Sequence, residues 1–173
     1  MRPLTASVLV LALSFSATGC QREKTDGPFE VSGRLVVFNY RIARASFLVT
    51  LRKIAPVETG ATVTAFFDNP QGGKPVEVVR KTFPKLDTVA LETDALHCIV
   101  KDRPYNVAIR IVSLDGKLLQ SLTTSVRSSE DQSVLPAEPL VVGPFYDPNP
   151  KVFHPDGSTN FSPEKGCPTA SGG

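Results

Sequence analysis

Apolar and polar residues alternate through most of residues 29–142. A period of two is typical of β-strands, because successive side chains point to opposite faces of a sheet. The Leu-Asp-Gly-Lys sequence at residues 114–117 predicts a two-residue hairpin turn. Seven or eight short strands predict an all-β fold, an immunoglobulin-like or transthyretin-like β-sandwich. The predicted strands cover residues 31–37 (an extension to 42 is left open), 47–52, 62–67, 76–82, 88–91, 105–111, 118–126 and 139–142.

Tyr105 stands at the start of a late predicted strand, directly after the polar sequence Lys-Asp-Arg-Pro. In immunoglobulin-like domains a tyrosine in this place hydrogen-bonds back across the preceding loop, an arrangement called the tyrosine corner. Tyr105 resembles that residue. The alternative is that Tyr105 is simply an amphipathic side chain at a strand end.

Proline is concentrated near the C-terminus, where eight of the 15 prolines lie between Pro136 and Pro168. Prolines this dense are not expected inside a sheet, because proline has no backbone N–H to donate. We therefore predict that residues 143–173 form a Pro-rich tail outside the sandwich. The tail either packs against the sandwich, which we favour, or presents its aromatic residues to a protein partner. The candidate partner-binding residues are Phe145, Tyr146, Phe153 and Phe161.

Two of the three cysteines, Cys98 and Cys167, lie in the predicted mature domain and tail. In a secreted protein they are expected to form a disulfide, which would fasten the tail to the body. Two free thiols are one alternative. A metal site with His97 and His154 is the other, although neighbouring residues on a strand would point His97 and Cys98 to opposite faces.

Residues 1–19 have the features of a secretory signal, with Arg2 followed by a short apolar run at residues 7–13. That run is shorter than the roughly 20 residues of a permanent membrane span. The small residues before Cys20 resemble the lipobox of bacterial lipoproteins, although Ala17 occupies a position where leucine is usual. The resemblance implies cleavage before Cys20 and its diacylation. The alternative is ordinary signal-peptidase cleavage with Cys20 unmodified.

Residues 20–28 would then be a lipidated cysteine and a short polar tether, which cannot bury apolar surface. Gln21 in place of aspartate favours the outer membrane, by analogy with enterobacterial sorting. The predicted location is therefore the bacterial envelope, on the outer membrane and facing the periplasm.

The sequence carries no motif of a known catalytic centre, so we predict a protein that is not an enzyme and has no cofactor, metal site or small-molecule substrate. The residues His-Pro-Asp-Gly-Ser at 154–158 fall within one loop, whereas catalytic triads are assembled from distant segments. A net charge of +2 is too small to predict binding of nucleic acid or anionic lipid through the field of the whole protein. Arg80, Lys81 and Lys85 are interpreted as solvated residues that discourage edge pairing.

Short motifs in the body resemble those of YbaY-type envelope lipoproteins, which are related to the YscW-type pilotins of type III secretion. They are Val-Ser-Gly at residues 31–33, Gly-Ala-Thr-Val at residues 60–63, and the late hairpin at residues 107–119. The usual Pro-Pro before Gly-Ala is Glu-Thr here, and the Cys-containing tail has no counterpart in those proteins. The rival interpretation is a generic immunoglobulin-like lipoprotein.

The resemblance implies an accessory or assembly protein of the envelope, and it transfers no catalytic residue. We therefore predict a lipid-anchored binding, assembly or pilotin-like factor whose partner is an envelope protein. One alternative is a small metal-carrying or enzymatic periplasmic protein that uses His97, His154 and the cysteines. The other is a purely structural envelope lipoprotein.

Overall fold

Two antiparallel sheets face each other across one apolar core in the computed structural model, which describes residues 26–167. The first sheet has the order β1-β2-β5 and the second has the order β4-β3-β6-β7. The strands are β1 (Phe29–Asn39), β2 (Arg44–Lys53), β3 (Thr62–Phe67), β4 (Val76–Lys81), β5 (Thr88–Glu92), β6 (Pro104–Val112), β7 (Leu118–Arg127), β8 (Val141–Val142) and β9 (Asp147–Pro148). The predicted all-β sandwich is confirmed.

Alternation along the strands builds the core. On β6, every second residue from Tyr105 to Ile111 is buried and the residues between them are exposed. The Phe47 ring, on β2 of the first sheet, lies 4.9 Å from that of Tyr105 and 6.2 Å from that of Phe67 on β3 of the second sheet. Each fully buried side chain of this size contributes about 1.5–3 kcal/mol through removal of apolar surface from water.

Three local features differ from the sequence expectation. The first strand ends at Asn39 and is followed by a short 3₁₀ helix at Tyr40–Ile42. The predicted strand at residues 139–142 is reduced to β8, which pairs with β9 and with neither large sheet. The β6–β7 turn has three residues, because Ser113 and Lys117 close it and Gly116 has φ +85°. This is the geometry of a type I turn with a glycine bulge.

The strand order gives the sandwich two ends, which we name the base end and the tail end. The base end contains the start of β1, the end of β2 and the β6–β7 turn. The tail end contains the β1–β2 turn, the β5–β6 connection and the ribbon of β8 and β9. The ends are about 34 Å apart, since β1 runs between them over 11 residues.

The predicted signal peptide at residues 1–19, Cys20 and most of the predicted tether lie outside the described residues. Within residues 26–167, no helix is long and apolar enough to cross a membrane.

Candidate functional site

The tail packs against the sandwich at the tail end. Just before the tail begins, the Leu140 N–H donates to the carbonyl of Arg41 in the β1–β2 turn, at 2.9 Å. The Ala137 N–H, in the same leading segment, donates to the Ser162 carbonyl at 2.8 Å, so the end of the tail runs beside that segment. Val152 is completely buried. Of the two arrangements considered from the sequence, the structure has the one in which the tail is folded onto the body.

A disulfide joins the end of the tail to the β5–β6 connection. Cys98 is bonded to Cys167, with a Cα–Cα distance of 5.2 Å. Beside it, Nδ1 of His97 lies 2.8 Å from a carboxylate oxygen of Glu164. His97 and Cys98 lie in a loop and not on a strand, so the expectation that they point to opposite faces has no basis in this fold. The disulfide and the His97–Glu164 contact both fix the tail to this one loop.

The same loop is braced from the body by Tyr105. The Tyr105 hydroxyl accepts a hydrogen bond of 2.8 Å from the backbone N–H of Val100, five residues earlier. The Tyr105 ring is buried against Phe47. Buried Gln132, in the short 3₁₀ helix after β7, adds a backbone hydrogen bond of 2.8 Å to the Ile99 carbonyl. This is the geometry of a tyrosine corner, and it holds the loop that carries Cys98.

Asn149 fixes the path of the ribbon. Its side chain is buried and donates to the Pro139 carbonyl at 2.6 Å, while its backbone N–H donates to the Leu140 carbonyl at 2.9 Å. A proline-rich segment has few N–H groups for a sheet ladder, so a side-chain amide supplies the missing contact. The turn between β8 and β9 is thereby held at a defined position.

That turn exposes two aromatic side chains, Phe145 at 85% and Tyr146 at 57%. Tyr146 has φ +58°, a left-handed conformation that glycine or asparagine adopts at much lower cost than a bulky residue. The Arg41 guanidinium lies 4.7 Å from the centroid of the Tyr146 ring, within the range of a cation–π interaction. Strain of this kind is concentrated at functional sites. The turn is therefore a candidate binding element.

The sequence analysis missed the part of this surface that the β1–β2 turn contributes. Tyr40 and Ile42 flank Arg41 in the 3₁₀ helix, and both are exposed. We name the five residues Tyr40, Arg41, Ile42, Phe145 and Tyr146 the tail-end patch. Residues 40–42 look like the continuation of a strand in the sequence, and nothing local indicates that they meet residues 140–146.

The other two candidate aromatics have a different environment. Phe153 and Phe161 pack edge to face with ring centroids 6.0 Å apart, and backbone pairing between Phe153 and Thr159 closes the loop that joins them. Each ring therefore covers part of the other. The structure divides the four predicted aromatics into this pair, packed within the tail, and the more exposed pair at residues 145 and 146.

His154 lies in a tight turn, where its backbone N–H donates to the Ser158 carbonyl at 2.9 Å. Hydrogen bonds from the Ser158 hydroxyl and backbone lower the pKa of Asp156, as expected for an aspartate that closes a turn. Among residues 26–167, no three His, Cys, Asp or Glu side chains are grouped closely enough to hold a metal ion. The thiols of Cys98 and Cys167 are bonded to each other.

No protein-family model matches this chain, and no curated protein sequence matches it. The resemblance to YbaY-type lipoproteins and pilotins therefore stays a prediction from the motifs quoted above.

Proposed function

We propose that this protein is a lipid-anchored envelope protein that acts by binding a protein partner through the tail-end patch, and not by catalysis. The observation that carries the proposal is the fixed presentation of Phe145 and Tyr146. The buried side chain of Asn149 fixes the turn that carries them, and the Arg41 guanidinium lies against the Tyr146 ring, so both aromatic side chains are held in solvent. Aromatic residues and arginine are enriched among the residues that dominate protein–protein binding.

The proposed anchor is the acyl group on Cys20, with residues 20–28 as the tether. The tether joins the sandwich at the base end, because the backbone N–H of Ile54 at the end of β2 donates to the Pro28 carbonyl at 2.8 Å. An extended chain from Cys20 to Pro28 spans at most about 28 Å. The tail-end patch is about 34 Å beyond the point of attachment, which is farther than the tether spans, so the domain could not turn this patch onto the membrane and the patch would be accessible to a partner.

The metal-carrying or enzymatic alternative has less support. It needs His97 and the cysteines as ligands or catalytic groups, but His97 contacts Glu164 and the two cysteines form the disulfide. A purely structural role does not account for the strained, exposed Tyr146.

The anchor is tested with a Cys20→Ser variant. The native chain should incorporate labelled palmitate and fractionate with membranes, whereas Cys20→Ser should do neither. Binding is tested separately by cross-linking intact cells and purifying the native chain beside a Phe145→Ser/Tyr146→Ser variant. A partner recovered with the native chain alone supports the tail-end patch, and a partner recovered equally with both contradicts it.

A further inference from the structure

The start of the sandwich is fixed rigidly at the base end. The side-chain amide of buried Gln120 on β7 makes two hydrogen bonds to the backbone of Phe29, accepting from its N–H at 3.0 Å and donating to its carbonyl at 2.8 Å. Gly27 passes so close to Gln120 that a Cβ on it would collide with the side-chain amide. The direction in which the tether leaves the sandwich is therefore set by the fold.

An anchor on this tether would bring the base end close to the bilayer. The tether reaches at most about 28 Å, which is less than the length of β1, so the tail end could not turn to face the membrane. This step rests on the proposed anchor at Cys20. The surface next to the lipid would then be the loops of the base end.

One of these loops, residues 82–87 between β4 and β5, exposes two large apolar side chains. Phe83 is 58% exposed and Leu86 is 55% exposed, and a backbone hydrogen bond from Leu86 to Phe83 holds both in one turn. They line a shallow hollow of about 130 Å³. We name residues 82–87 the base loop.

The base loop is tied to the other turns at this end. The Lys53 ammonium donates to the Pro84 carbonyl at 3.2 Å, which places the loop beside the point where Ile54 binds Pro28. On the other side, the Gly60 N–H donates to the Thr82 carbonyl at 3.1 Å. The side chains of Ile54 and of Leu114 in the β6–β7 turn, which packs against Gly60, are also exposed. Four exposed apolar side chains therefore lie around the point where the tether leaves the sandwich.

Basic side chains outnumber the carboxylates beside the base loop, which are Asp87 and the exposed Glu58, whose backbone carbonyl accepts a hydrogen bond from the Thr82 hydroxyl. Arg80, Lys81 and Lys85 flank the two apolar side chains, and within the described part of the chain none of the three is in an ion pair. The single carboxylate of the loop, Asp87, lies 3.5 Å from the ammonium of Lys53. A surface with exposed apolar side chains and basic neighbours is typical of proteins that bind the interface of an anionic bilayer. The small net charge of the whole chain conceals this local arrangement.

We infer that the base loop docks on the surface of a bilayer that contains anionic phospholipid. In this arrangement Phe83 and Leu86 enter the boundary between headgroups and acyl chains, while Arg80, Lys81 and Lys85 contact headgroup phosphates. The contact would fix how the domain is tilted on the membrane, which attachment at a single point does not do.

The absence of tryptophan from the chain gives a direct test. Phe83→Trp and Phe145→Trp each create a single fluorophore at an exposed site, one at the base end and one at the tail end. Each full-length variant is purified from membranes in detergent and reconstituted into vesicles of phosphatidylethanolamine and phosphatidylglycerol. Lipids brominated on their acyl chains then quench only a tryptophan that reaches the acyl boundary, about 5–10 Å deep.

For Phe83→Trp we expect a blue-shifted emission and about a twofold loss of intensity with brominated lipid, and for Phe145→Trp we expect neither. Replacing Arg80, Lys81 and Lys85 by glutamine, or using phosphatidylcholine alone, should reduce the quenching at position 83. No quenching at position 83, or equal quenching at position 145, overturns the inference. If neither the glutamine substitutions nor the phosphatidylcholine vesicles reduce the quenching, the three cations have no role and the inference of an anionic bilayer is overturned.

Fluorescence is measured only on protein that floats with the vesicles. A failure of the anchor appears as protein that does not float, and as a Cys20→Ser variant that fractionates like the native chain. A failure of the docking inference appears as floating Phe83→Trp protein whose fluorescence is not quenched.

Discussion

The guanidinium of Arg41 lies 4.7 Å from the centre of the Tyr146 ring, and the backbone carbonyl of Arg41 accepts a hydrogen bond from Leu140. One residue of the β1–β2 turn therefore contacts the tail through its side chain and the segment just before the tail through its main chain. This contact joins two segments about 100 residues apart in the sequence and positions Tyr146 at the surface. A substitution at Tyr146 can therefore test binding without a large change in the stability of the fold.

Replacing Tyr146 by glycine should remove binding with little effect on folding. Glycine relieves the strain of φ +58° but loses the stacking on Arg41, and each effect is about 1 kcal/mol with opposite sign. We expect the free energy of unfolding in urea to change by less than about 1 kcal/mol, while cross-linking to the partner is lost. Phe161→Ser, which alters an aromatic residue within the tail, is the matched control and should keep the partner.

Reduction of the Cys98–Cys167 disulfide should destabilise the domain and release the end of the tail. The bond closes a loop with a sequence separation of 69 residues, for which a loss of about 2–4 kcal/mol is expected. Thermal unfolding with and without reductant measures the loss, and limited proteolysis detects the released tail. A Cys98→Ser/Cys167→Ser variant should resemble the reduced protein and respond no further to reductant. A reductant effect of equal size on both proteins would contradict this assignment.

Tyr105→Phe should destabilise the domain by about 1–2 kcal/mol, because the Val100 N–H loses its partner while the buried ring remains. Chemical denaturation measures the difference. Tyr40→Phe removes the same hydroxyl from an exposed ring and should change the stability by less than about 0.5 kcal/mol. Equal effects of the two substitutions would show that the Tyr105 hydroxyl has no special role.

The β6–β7 turn should weaken in acid. Hydrogen bonds from Ser113 and from the backbone of Lys117 lower the pKa of Asp115 from its ordinary value of 3.8. A lowered folded-state pKa contributes stability that is present above the unfolded pKa and is lost as the pH falls through the folded value. Amide hydrogen exchange at Ser113 and Lys117 should therefore accelerate, relative to the rest of β6 and β7, as the pH falls below 3.8. The extra acceleration should be absent from Asp115→Asn.

The sequence predicts the sandwich well because its signal is local. The buried residues of β6 are those that the alternation selects, and turn residues separate the strands near their observed ends. Gln120 also carries a signal that the sequence interpretation did not use. Gln120 lies on the same, inward-facing side of β7 as Val126. A polar side chain on that side needs a hydrogen-bond partner inside the protein.

The candidate site is less predictable because long-range contacts form it. The two large sheets end at Arg127, before the residue 142 boundary that the sequence predicts, and the Pro-rich composition contains no period that could reveal the ribbon or its contact with Arg41. The conformation of Tyr146 also has no sequence signature, since bulky residues rarely adopt positive φ. Four aromatics that look equivalent in the sequence therefore separate into a half-exposed pair whose rings pack on each other and a more exposed pair in the tail-end patch.

The most direct test of the account is photo-cross-linking in intact cells from p-benzoylphenylalanine placed at position 145. A control chain carries the same photoreactive residue at position 79, which is exposed on β4 and away from the tail-end patch. We expect a discrete adduct with an envelope protein from position 145 only, and its loss when Tyr146→Gly is added. The absence of any adduct from position 145, or the same adduct from both positions, would contradict a partner-binding role for the tail-end patch.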